Sequence, residues 1–108
     1  MRTKERERVC AILTEAITTL PDKLGSGRFY DPATGLFCAV GWLNHCARRT
    51  RESGSPFPFA NLQQQGFNRD DLNAVETLND GTFASNRVEV VKARLVALKL
   101  KACGKEKS

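Results

Sequence analysis

No part of this chain is apolar for long. Its longest apolar run, Leu36 to Leu43, has eight residues, well short of the roughly 18 a membrane-crossing helix needs, so no membrane span is expected. Phosphate-cradling loops are missing as well: Gly25-Ser26-Gly27 runs into Arg28 with no Lys-Ser or Lys-Thr pair behind it, which leaves nucleotide hydrolysis without support. The one histidine, His45, stands beside Cys46, and no two cysteines are spaced C-x-x-C. Adjacent helix residues point to different sides, so no metal site and no cofactor are expected. A secretory leader is not expected either, because Glu5 and Glu7 interrupt the basic start and Glu15 the apolar part. The four cysteines, Cys10, Cys38, Cys46 and Cys103, are therefore expected as reduced thiols in the cytoplasm of a bacterial host, not as a disulfide framework.

What the chain does have is an ordinary globular composition, with 41% hydrophobic and 27% charged residues over 108 positions. That suits one domain with one core, expected over residues 1–104, followed by a flexible basic tail at 105–108. The formal charge is +5. Arg2, Lys4, Arg6 and Arg8 lie at one end and Lys99, Lys101, Lys105 and Lys107 at the other. Such runs serve as solvated helix faces or as a nucleic-acid footprint.

From Lys4 to Leu20 the apolar residues Val9, Ile12, Leu13, Ala16, Ile17 and Leu20 follow the three-and-four spacing of a helix with one buried stripe, closed by Pro21. Asp31, Pro32 and Gly35 then suit a tight turn, giving a short β-like arm or hairpin near residues 28–37. Residues 37–47, FCAVGWLNHCA, are apolar on nearly every face and read as the central helix, with Cys38, Val40, Trp42 and Leu43 buried. Gly41 within it costs about 1 kcal/mol relative to alanine, which a closely passing backbone would explain.

The polar stretch at residues 48–56 reads as an exposed loop. A short helix is expected from Ser55-Pro56 through Gln65, ended by Gly66, and another from Asn68, its cap, to Leu78, with Leu72, Val75 and Leu78 facing inward. The last helix is expected to start at Ser85 or at Asn86, with Glu89 completing a capping box. Its seam of Val88, Val91, Leu95, Leu98 and Ala102 should pack beside the first helix. The expected fold class is thus mainly α, a compact bundle of four or five helices with one short hairpin.

The order of an amphipathic helix, then GLFCAVGWL, then ETLNDG, then SNRVEVVKARL resembles a family of small uncharacterised actinobacterial and phage proteins. That family has a Cys-Ala-Leu-Gly core motif and a later Trp-Asn-Asp before a closing helix. The shared letters are Cys38, Ala39, Gly41, Asn79 and Asp80; Val40 stands for Leu and Leu78 for Trp. The resemblance implies this architecture and a bacterial or phage origin, and no activity.

Cys38 falls at a helix start, where the dipole favours a thiolate, which makes a thiol-dependent enzyme with Cys38 as nucleophile one alternative. His45 lies about 10 Å along the helix axis, too far to take its proton, and Asn79 or Asp80 would have to fold over it. The plainer expectation is a core thiol, with Asn79 and Asp80 bonding helix ends and turns. Asp70 and Asp71 point apart and suit a helix start. The helices around Gly66 suggest a helix-turn-helix, but the second carries Asp70, Asp71 and Glu76 against Arg69, the wrong charge for a phosphate backbone. The favoured reading is a non-catalytic interaction protein, a bacterial or phage accessory factor that binds and modulates a host macromolecular complex. A protein partner is expected, meeting Arg48, Arg49, Arg51, Phe57 and Phe59, because interfaces enrich arginine and aromatics. Nucleic acid is the alternative partner, through Arg2, Lys4, Arg6, Arg8, Lys99 and Lys101.

Overall fold

The structure, a computed structural model, describes residues 3–50 and 57–104. Among these the chain forms five helices and one hairpin. In order they are α1 (Thr3–Thr18), β1 (Tyr30–Asp31), β2 (Leu36–Phe37), α2 (Ala39–Thr50), α3 (Pro58–Gln65), α4 (Arg69–Gly81) and α5 (Ala84–Cys103). All five helices contribute to one buried cluster that includes Ile12, Leu13, Leu43, Leu62, Leu72, Val75, Val91 and Leu95. The mainly helical fold with a short hairpin is the one the sequence pattern implied. Arg2, Arg51, the proposed helix start at Ser55-Pro56 and the tail at 105–108 lie outside the described residues.

α1 buries Val9, Ile12, Leu13 and Ala16, the stripe its spacing announces, and α5 lies beside it with Val91, Leu95, Leu98 and Ala102 buried. α2 occupies the centre. Cys38, Val40 and Leu43 are buried there, and the Trp42 indole donates to the Ala16 carbonyl at 3.1 Å, satisfying an acceptor near the end of α1. Gly41 has the function its cost implied. A methyl group at Gly41 would overlap the Phe29 carbonyl, so the glycine lets the hairpin arm lie against the helix. The Cys38 amide donates to that same carbonyl at 3.1 Å. The strands pair antiparallel, Tyr30 with Phe37 and Asp31 with Leu36. Asp31 Oδ1 accepts from the Ala33 amide at 2.9 Å and Gly35 takes a φ of 74°, as the turn requires.

Several boundaries differ from the sequence pattern. The cysteines differ most: Cys10 and Cys103 form a disulfide, with Cα atoms 5.0 Å apart although the residues are 93 positions apart in the chain. The expectation of four reduced thiols fails because α1 and α5 pack side by side, as expected, in a register that brings Cys10 against Cys103 and that no local spacing reveals. α1 ends at Thr18, not at Leu20, and α3 begins at Pro58, with proline in its first turn where its missing N–H costs nothing. Gly66 ends α3 with a φ of 118°, and Asn68 caps α4, accepting from the Asp70 and Asp71 amides.

α4 runs past Leu78 to Gly81, so Asn79 and Asp80 belong to its last turns; Leu78 is only half-buried, while Asn79 is fully buried. α5 starts at Ala84, which puts Ser85 and Asn86 inside its first turn, and no side chain caps it. Only Thr82 and Phe83 separate the two helices, and Arg87 bridges the junction. Its guanidinium donates to the carbonyls of Asn79, Leu24 and Thr82 at 2.7, 2.9 and 3.1 Å.

Candidate interaction cleft

Where the hairpin, the last turns of α2 and the start of α3 meet, the surface opens into a cleft of about 810 Å³. Its floor is a cluster of packed rings. His45 lies 5.2 Å from Trp42 and 4.9 Å from Phe37, and Tyr30 rests on Phe37 at 4.7 Å. Phe29 and Tyr30 on the arm, Phe57 before α3, and the guanidinium-bearing residues Arg28, Arg48 and Arg49 complete the walls. Tyr30 is 47% and Phe57 71% exposed, a large apolar surface to leave in water beside unmatched charge.

The local sequence explains the placement. Arg48 and Arg49 lie on the final turn of α2 and not in a loop, because the helix continues through Thr50. There their positive charge complements the carbonyl end of the helix dipole. Arg49 approaches Glu15 at 3.5 Å, whereas no carboxylate pairs with Arg28 or Arg48 among the described residues. No aspartate or glutamate lines the cleft among the described residues. Burial, and secondarily the charge of Arg49, hold His45 below the ordinary imidazole pKa, so it is neutral at pH 7.

Of the residues the sequence singled out for a partner, Arg48, Arg49 and Phe57 reach this cleft together. Phe59 does not line it: its ring stacks beneath Arg69 at 4.2 Å and takes the edge of Phe29 at 5.8 Å, supporting the arm from behind. The sequence reading missed Arg28, Phe29, Tyr30, Phe37 and His45. Gly41 was the usable signal, since it announced a backbone crossing α2 without saying which one.

A polar ladder stiffens the floor. Asn61 donates to Asn44 at 2.7 Å and Gln65 to Asn61 at 3.2 Å, all three buried. The arm is fixed at its other end by Asn79, whose Oδ1 accepts from the Ala39 amide at 3.0 Å and whose Nδ2 donates to the Gly25 carbonyl at 2.9 Å. Asn79 therefore caps α2 from a distant helix, a bonding duty and not a catalytic one.

The basic ends fare differently. Lys4 and Arg6 are exposed, but Arg8 and Lys99 are half-buried, and Arg8 Nε is buried without a hydrogen-bond partner among the described residues. Lys101 pairs with Asp71 at 3.1 Å. Arg6 and Lys101 meet Asp71 at the rim of a smaller, largely apolar pocket of about 220 Å³.

Cys38 is 2% exposed. Burial pushes its thiol pKa up, against the opposing hydrogen bond from the Gly41 amide, and Cys46 is pushed up to about 11 by burial. Neither sulfur is a reactive thiolate near neutral pH. Among the described residues, no cluster of three or more metal-binding side chains occurs and no helix is long and apolar enough to cross a membrane. Searches against protein-family profiles, curated proteins and solved structures found no match.

Proposed function

We propose that this chain is a non-catalytic interaction protein, a bacterial or phage accessory factor that binds and modulates a host macromolecular complex through the cleft at the end of α2. The observation that carries this reading is the cleft itself, where two guanidiniums without carboxylate partners among the described residues stand beside exposed aromatic rings over a floor of packed rings. Arginine and aromatic side chains are the residue types that dominate binding energy at protein interfaces. The resemblance to small actinobacterial and phage proteins supplies the setting and nothing about activity.

The Cys10–Cys103 disulfide leaves the expected cytoplasmic location without its cysteine argument, because such bonds persist mainly in oxidising compartments.

The test is capture of host proteins from a bacterial lysate by the wild-type chain and by an Arg48→Gln, Phe57→Ser double variant, with and without nuclease, read by mass spectrometry. A partner retained after nuclease and lost with the variant supports the reading. Capture abolished by nuclease, or unchanged in the variant, sinks it.

A further inference from the structure

Resting on that reading, we infer that the cleft takes an extended acidic protein segment that places an apolar side chain between its carboxylates. Charge complementarity leads there. Among the described residues, the two guanidiniums of the cleft left without carboxylates come from different elements, Arg28 where the chain enters the arm and Arg48 on α2. Both are exposed. No acidic residue of the cleft competes for them among the described residues, and neutral His45 adds no charge of its own. A guanidinium holds a carboxylate through two parallel hydrogen bonds, which fixes orientation as well as sign.

The space between the arginines is apolar. Tyr30 and Phe37 form its base and Phe57 its lip, and 71% of Phe57 is open to solvent. Covering those rings needs an apolar group, and an open cleft of about 810 Å³ has room for several groups of a ligand at once. A short run of extended chain fits this requirement, because side chains two positions apart project to the same face.

Nucleic acid suits the cleft less well. The two cleft cations without carboxylates among the described residues neutralise at most two phosphates, a salt slope of only about −1.4 for a single strand.

The experiment is selection of a randomised dodecapeptide display library on the immobilised full chain, followed by fluorescence anisotropy with the best peptide. Arg28→Gln, Arg48→Gln and an oligothymidine probe serve as comparisons. The expected result is enrichment of Asp and Glu around a Phe, Trp or Leu, with each arginine variant weakening binding about tenfold. Circular dichroism of both variants matching wild type excludes unfolding as the cause.

Selected sequences indifferent to charge, or oligothymidine binding more tightly than the best peptide, overturn the inference. If no sequence is enriched while lysate capture still depends on Arg48 and Phe57, the acidic segment is wrong and the cleft remains the contact face. If both fail, both readings fall.

Discussion

Two regions of this molecule are rich in positive charge, and the fold treats them differently. Where α1 begins and α5 ends, Lys4 and Arg6 stay exposed, but Lys101 is matched by Asp71, Arg8 and Lys99 are partly withdrawn from solvent, and a disulfide ties the helices together. At the end of α2 and on the facing arm, Arg48 and Arg28 stay exposed without carboxylates among the described residues, next to aromatic rings that the core does not absorb. Both regions add to the same net charge. The difference teaches that a run of basic residues in a sequence marks a binding surface only after tertiary pairing has taken its share.

The comparison breaks most visibly at the tied end. Reducing the disulfide, or replacing Cys103 with Ser, frees a loop of 93 residues in the unfolded state and should lower stability by about 4–5 kcal/mol. Urea unfolding with and without reductant measures it. A loss below about 1 kcal/mol would show that helix packing alone holds α1 to α5.

Between the two regions lies the shared core, where Leu43→Ala should cost on the order of 2–5 kcal/mol because its side chain has no exposed surface. Chemical denaturation checks this, and a cost under about 1 kcal/mol would make α2 peripheral. The neighbouring thiols sharpen the same point. Cys38 and Cys46 should alkylate far more slowly in the native protein than after unfolding, and rapid native labelling of Cys38 would restore the nucleophile reading.

At the cleft the expected stability effect is much smaller. Phe57→Ser with Arg48→Gln should change unfolding free energy by no more than about 0.5 kcal/mol, since both side chains are exposed. A loss above about 2 kcal/mol would mean that these residues hold the fold together and are not kept for a partner.

The smallest effect concerns pH. Burial lowers the His45 pKa from 6.5, so as pH falls through that value the unfolded chain takes up the proton first. The histidine's contribution to stability is whole above the unfolded pKa and is lost as pH drops toward the folded one. Glu76 acts with the opposite sign at lower pH, because burial, and then Asp80, raise its pKa in the fold. Thermal midpoints on either side of pH 6.5 for wild type and His45→Gln isolate the histidine; equal pH dependence in both would refute its part.

Much of the architecture was legible in the residues. The stripe of α1, the seam of α5, the all-round apolar α2, the Asp31–Gly35 turn and the Asn68 cap depend on interactions within a few positions, where spacing and side-chain chemistry are sufficient. Even Gly41 spoke clearly, since a glycine in a buried helix needs a close neighbour to justify it.

The cleft was only half legible. Arg48, Arg49 and Phe57 flank one short segment, so their composition drew attention, but the arm residues that complete the cleft lie some twenty positions earlier in the chain. Asn79 and Arg87 gave no local sign that they would bond the start of α2, the Gly25 carbonyl and the Leu24 carbonyl.

By itself, then, the sequence determined the helices, the hairpin turn and which faces are buried, because these follow from periodicity and short-range hydrogen bonding. Only the tertiary structure decided which cysteines meet, which cations find acids and which aromatic rings stay exposed. Those outcomes depend on distances between segments far apart in the chain, and such distances exist only once the helices have packed.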